Sequence, residues 1–118
     1  MFVPKKSLGQ NFLLDNNICK KIVDNSDIKN QIVFEIGPGT GQLTDQIINK
    51  KPKELIIIEK DKFLYDLLSN KYKNLKNVKI LSNDALKIDY SNKKNIVIIS
   101  NLPYNISTKF IIHLLKNF

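Results

Sequence analysis

Four short apolar runs punctuate the chain: QIVFEIG (31–37), ELIIIEKD (54–61), VKIL (78–81) and NIVIISN (95–101). Each has the length of a strand and is apolar on both faces, the mark of a strand buried from above and below. Between the runs, apolar residues recur at helical spacing. Leu43, Ile47 and Ile48 share one face of a helix from about Gly41 to Lys50. Asp61 caps a second helix, which runs to about Tyr72 and buries Leu64, Leu67 and Leu68. Further helices are expected over about 16–25, behind an Asp15 cap, and from Ser107 to about Lys116. Strands alternating with helices specify a parallel sheet with helical cover. Right-handed crossovers then order the strands 3-2-1-4.

This is a Rossmann-like α/β layout in a chain of 118 residues, the size of one ordinary domain. There is no internal repeat and no linker-like stretch, and 42% hydrophobic residues suffice for a core. The fourth strand has no outer neighbour in this order, which leaves an open apolar edge at Asn95–Ser100. The chain is therefore expected to be the N-terminal part of a longer protein, with a truncated sheet. The edge itself is expected to pair with a second copy of the chain.

Charge points to an anionic partner. Nineteen basic residues, all lysine, face eleven acidic ones for a net +8. Nucleic acid ranks ahead of a membrane surface for such a surplus. The alternative is compositional bias, since lysine, asparagine and isoleucine are enriched together. No run approaches the ~18 apolar residues of a membrane span. The N-terminus lacks the apolar core of a secretory signal. One cysteine, Cys19, and one histidine, His113, make neither an intrachain disulfide nor a zinc site. The expectation is a cytoplasmic, metal-free protein.

The run Glu35-Ile36-Gly37-Pro38-Gly39-Thr40-Gly41 lies between a strand and a helix. Glycines there permit a tight turn and let a ligand approach the backbone. The spacing is G-x-G-x-G, with Gln42 where a dinucleotide site wants its third glycine, so the ligand expected lacks a pyrophosphate. Glu59 ends the second strand, where a carboxylate accepts hydrogen bonds from ribose hydroxyls. Asp84 follows the third strand and suits an exocyclic amine such as that of adenine. Either acid alone is also what a solvated strand end or a helix cap looks like.

The fourth strand runs directly into Asn101-Leu102-Pro103-Tyr104. Asn-Leu-Pro-Tyr after a fourth strand resembles the catalytic motif of ribosomal RNA adenine N6-methyltransferases. GQNFL (9–13) resembles that family's N-terminal cofactor motif, EIGPGTGQLT (35–44) its glycine loop, and NLPYNIS (101–107) is similar to the small-subunit dimethyladenosine transferases. The resemblance spans essentially the whole chain. It implies a methyltransferase catalytic domain, of which residues 1–118 are the N-terminal part and residues 1–14 a basic arm. It implies S-adenosyl-L-methionine as cofactor, held by Asn11, Leu13, Gly37, Gly39, Gly41, Glu59, Asp84 and Asn101. Small-subunit ribosomal RNA becomes the substrate and the small ribosomal subunit the partner, with two methyl groups added per adenine. The strands and C-terminal helical domain beyond residue 118 are expected to be needed for methylation, so that these residues alone bind cofactor but methylate poorly.

The chemistry of the tetrapeptide agrees with that assignment. An adenine amine is a poor nucleophile because its lone pair is delocalised into the ring. Two acceptors on its N–H groups, the Asn101 side-chain oxygen and the Leu102 carbonyl, favour a pyramidal nitrogen and stabilise the positive charge that grows on it. Pro103 fixes the backbone, and Tyr104 offers a face for an extruded base. Lys5 and Lys6 are placed to meet RNA phosphates, or else form a solvated terminus. Two rival readings remain. One is a DNA adenine N6-methyltransferase or a small-molecule methyltransferase; Leu102 speaks against the DNA enzymes, which more often carry Pro-Pro-Tyr. The other is a noncatalytic ribosomal-RNA-binding assembly factor on the same fold. Phe63 and Tyr65 are read as core residues or as the edge of an adenine pocket. The lysines at 50, 51, 53, 71, 73 and 76 are read as solvated helix ends.

Overall fold

The computed structural model describes residues 28–90 and 96–100, together with the backbone of residues 4–5 and 10–11. Strands β1 (Pro4–Lys5) and β2 (Gln10–Asn11) form a small antiparallel ribbon, with Pro4 opposite Asn11 and Lys5 opposite Gln10. Within the basic arm residues 4–5 thus lie against residues 10–11, a pairing that two-residue strands announce by no periodicity. The helices expected over 16–25 and 107–116, with Cys19 and His113, lie outside the described residues.

The main sheet contains β3 (Ile32–Ile36), β4 (Glu54–Glu59), β5 (Val78–Ser82) and β6 (Ile96–Ser100) in the order β5-β4-β3-β6, all parallel. Numbered along the four sequence runs, this is the expected 3-2-1-4. Helix α1 (Gln42–Asn49) follows β3 and helix α2 (Lys62–Lys71) follows β4. Asp61 caps α2, its Oδ1 accepting the Leu64 N–H at 3.0 Å, which satisfies one of the helix's unpaired first-turn donors.

Strand alternation divides the core into two. Val33, Leu55, Ile57, Val78 and Ile99 point to one face, where Leu43 and Ile47 of α1 and Leu68 of α2 cover them. Phe34, Ile36, Ile56 and Ile58 point to the other, where Tyr90 packs edge-on to Phe34 with ring centroids 5.6 Å apart. The connections explain the division. Two successive steps outward from β3 carry α1 and α2 to the same face. The return from β5 across to β6 must then cross on the opposite face to stay right-handed, and Ala85, Leu86 and Ile88 of that connection pack there.

Three apolar side chains depart from expectation. Leu67 is 40% exposed, because Leu68 and the following Tyr72 are the residues that join the helix-covered core, and buried Leu64 lies one turn before them on the same stripe, which leaves Leu67 on its flank. Leu81 is 42% exposed on the outer strand β5, whose second face is not buried as the run's composition implied. Phe63, read first as a core residue, is 75% exposed in the first turn of α2.

Candidate functional site

The register brings the carboxyl ends of the strands level. Ile36 pairs with Ile58 and with Ser100, and Glu59 pairs with Ser82. The glycine loop, Glu59 and the start of the Asn83–Asp84 turn therefore share one end of the sheet, where open α/β sheets bind ligands.

The loop needs its glycines. Gly37, Gly39 and Gly41 have φ of 70°, 60° and 99°, all left-handed, where side chains are disfavoured. The Gly41 N–H donates to the Pro38 carbonyl at 3.1 Å and closes the turn, and the Gly41 carbonyl accepts the Asp45 N–H at 2.9 Å and opens α1. The N-cap is Gly41 itself, which has no side chain with which to cap that helix. Among the described residues, a Cβ placed on Gly39 would meet no atom within 4 Å. The backbone at Gly39 thus borders open space, the condition for a ligand to approach the chain closely.

Glu59 is buried, and its Oε2 accepts the Asp61 N–H at 2.8 Å. Burial pushes its carboxyl above the ordinary carboxylate range, while that backbone bond pulls the other way. Asp84 is half-buried, and its Oδ1 accepts the Leu86 N–H at 3.0 Å, capping the 3-10 turn Ala85–Lys87. The Asn83 N–H donates to the Glu59 carbonyl at 3.3 Å and ties the two strand ends together. Each acid thus uses one oxygen to shape its own turn. A carboxylate offers about four lone-pair positions, so both retain capacity for a ligand's donors.

Two further groups sit beneath the loop, neither of them given a role in the sequence reading. Glu35 lies on the helix-covered face with Val33, and is 1% exposed. Thr44 Oγ1 of α1 donates to its Oε1, and Oε2 is buried with no hydrogen-bond partner among the described residues. Burial, reinforced by Asp45 nearby and opposed by the Thr44 bond, raises this carboxyl to about 8. The one available signal was a lone acid inside an otherwise apolar run. The second group joins α2 to α1. Tyr72 Oη lies 2.6 Å from Asp45 Oδ1, and Lys71 Nζ lies 3.1 Å from Asp45 Oδ2. Lys71 is thus no idle helix end.

Of the residues picked from sequence, Gly37, Gly39, Gly41, Glu59 and Asp84 come to one end of the sheet. Asn11 lies in β2 and Lys5 in β1. Leu13, Lys6 and Asn101, Leu102, Pro103 and Tyr104 lie outside the described residues. β6 ends at Ser100, in register with the residue before Gly37. Among the described residues no group of three or more His, Cys, Asp or Glu side chains is arranged to hold a metal, and no helix is long and apolar enough to cross a membrane.

A parallel 3-2-1-4 sheet with a left-handed glycine loop after its first strand is a Rossmann-like fold, one that S-adenosylmethionine-dependent methyltransferases share. The 23S rRNA methyltransferase ErmE has this fold, with a TM-score of 0.81 at 23% identity over 91% of this chain and 43% of its own. A dimethyladenosine transferase from Plasmodium falciparum superposes with a TM-score of 0.75 at 31% identity, over 89% of this chain and 38% of that one. The chain belongs to the ribosomal RNA adenine dimethylase family, whose model matches residues 1–118. It is 47% identical over 125 residues to the ribosomal RNA small subunit methyltransferase A of Pelagibacter ubique (strain HTCC1062), covering 100% of this chain and 47% of that protein. The chain spans about half the length of the curated relatives it matches.

Proposed function

We propose that the chain forms the cofactor-binding part of an enzyme that transfers methyl groups from S-adenosyl-L-methionine to adenine N6 in small-subunit ribosomal RNA, two per adenine, in the cytoplasm. The observation that carries this reading is the sharing of one sheet end by three left-handed glycines, Glu59 and the Asp84 turn, in a member of this family. The residues fit the cofactor: the open backbone at Gly39 admits a close ligand, and a buried carboxylate at the second strand end suits a ribose. When bound, the cofactor supplies a methyl group already activated on a sulfonium.

In this reading Gly37, Gly39 and Gly41 seat the cofactor's amino-acid end, Glu59 accepts from its ribose hydroxyls, and Asp84 accepts from its adenine amine. Asn11 and Leu13 close over it, and exposed Phe63 edges the pocket. Asn101 and Leu102 hold the N–H groups of the target amine, with Pro103 fixing their backbone and Tyr104 stacking on the base. Lys5 and Lys6 meet RNA phosphates. No strong general base is required, because positioning and charge stabilisation carry most of such a transfer.

Calorimetric titration with S-adenosyl-L-methionine tests the reading. The chain should bind it, and Glu59→Ala should lose roughly 1.5–3 kcal/mol, about tenfold to a hundredfold in affinity. Methyl transfer to unmodified small ribosomal subunits should be weak with these 118 residues and strong with a chain of the relatives' full length. Absence of cofactor binding, or equal binding by Glu59→Ala, would remove the assignment. Self-pairing through β6 is supported by its position as the outer strand among the described residues. Sedimentation at rising concentration should then show dimers, and a strictly monomeric chain would end that part of the proposal.

A further inference from the structure

Residues 71 and 72 reach the glycine loop from a helix 31 positions further along the chain. The Tyr72 hydroxyl is buried, 2.6 Å from Asp45 Oδ1 and 3.2 Å from the Gly41 carbonyl. It has one proton for two acceptors, so it donates chiefly to Asp45 and only weakly to Gly41. Lys71 Nζ approaches the same residue from outside, 3.1 Å from Asp45 Oδ2 and 3.4 Å from the Thr40 carbonyl, and lies 5.2 Å from the centre of the Tyr72 ring.

We propose that Tyr72, Asp45 and Lys71 form a positioning clasp that holds the peptide planes between Thr40 and Gln42 in the conformation that accepts the cofactor. The proposal rests on the reading of the glycine loop as the cofactor seat. A buried tyrosine needs some partner for its hydroxyl, and many find one on a random nearby carbonyl. Here the partners are specific. Two successive loop carbonyls and the first-turn acid of α1 are gripped from the α2 side. A trans peptide is planar, with its N–H opposed to its C=O. The Gly41 carbonyl accepts the Asp45 N–H at 2.9 Å, so anchoring Asp45 from the α2 side, with the weaker direct contacts to the Thr40 and Gly41 carbonyls, also fixes the direction of the N–H groups that follow. A loop preset in this way does not have to be ordered when a ligand arrives, which lowers the free-energy cost of binding. Tyr72 carries most of the effect, because Lys71 and Asp45 are both about half exposed and such pairs contribute little.

The test combines titration with S-adenosyl-L-methionine and amide NMR of Gly39 and Gly41, in the 118-residue chain and its variants. Tyr72→Phe should weaken binding about threefold to tenfold. In the free variant the Gly39 and Gly41 signals should shift or broaden while the amides of Glu54–Glu59 stay in place. At saturating cofactor they should return to the wild-type bound positions. Asp45→Ala should reproduce this signature, and Asp45→Asn, which keeps an acceptor for Tyr72, should restore most of it. Should Tyr72→Phe fail to fold, the Asp45 pair carries the same comparison. Wild-type binding with Tyr72→Phe or Asp45→Ala inside twofold and the loop signals unmoved would overturn the clasp and leave the cofactor reading intact. No binding by the wild-type chain would overturn the cofactor reading, and the clasp with it.

Discussion

Replacing Glu35 by glutamine should abolish a fall in stability that the wild-type chain shows between about pH 4.5 and pH 8. The Glu35 carboxyl is raised from 4.5 to about 8, first by complete burial and then by the neighbouring Asp45, against the pull of the Thr44 hydroxyl. The folded state therefore holds a proton that the unfolded chain releases. Stability falls with rising pH wherever the native state binds more protons. The contribution is fully present below pH 4.5, declines through the interval, and is lost above pH 8, where the carboxyl is ionised in both states. Its upper limit is about 5 kcal/mol, a large share of a small domain's stability. Glutamine keeps the shape and an acceptor for Thr44, and carries no titrating group. Its amide nitrogen takes the place of Oε2, which has no partner among the described residues, so the cost of that unpaired group does not vary with pH. Urea midpoints of both proteins from pH 4.5 to 9 give the difference directly, and Glu59, which is also raised, cancels from it. A difference curve flat across that range would show that Glu35 is ionised in the folded chain.

Much of this architecture was legible in the residue pattern, and the parts that were not share a cause. Strand order followed from four apolar runs and the handedness of their connections. The glycine loop and the Asp61 cap were legible because backbone rules act within a few residues. What escaped depends on which elements meet in space. Leu67 is as apolar as Leu68, yet the angle at which α2 lies on the sheet brings Leu68 and Tyr72 into the core and leaves Leu67 exposed. Leu81 reads as a buried strand residue, and its exposure follows from β5 being the outer strand on that side among the described residues. Lys71 is one of nineteen lysines, and nothing local distinguishes it from a solvated helix end. Its partners Thr40 and Asp45 lie 31 and 26 positions away. Asp84 shows the converse. Its position after a strand suggested a ligand contact, and the structure adds that it caps the turn beneath it. The cap and the proposed ligand contact use different lone pairs of one carboxylate, so the local role does not displace the functional one.

Two glycines of the same loop should respond to alanine differently, one mainly in stability and the other mainly in cofactor binding. At Gly41, with φ of 99°, a Cβ would lie 2.6 Å from the Tyr72 hydroxyl oxygen, 3.1 Å from Lys71 Nζ and 3.3 Å from a Leu68 methyl. The lysine end can swing away at little cost, but the tyrosine oxygen is buried and bonded to Asp45. Backbone strain of about 1–2 kcal/mol and overpacking of about 1–3 kcal/mol then act together, and Gly41→Ala should destabilise the chain by about 3 kcal/mol in urea unfolding. Combining it with Tyr72→Phe removes the oxygen in closest conflict, so the double variant should be more stable than the two single losses predict, by about 1 kcal/mol. At Gly39, φ is 60° and the space beyond is open. Gly39→Ala should therefore cost only about 1 kcal/mol of stability. Its methyl group instead occupies the side from which a ligand must approach the backbone, and its main effect should be the loss of S-adenosyl-L-methionine binding. If Gly39→Ala binds the cofactor as the wild type does, the open side of the loop is not where the cofactor sits. If the Gly41 and Tyr72 effects simply add, the two residues are not in the contact that the geometry describes.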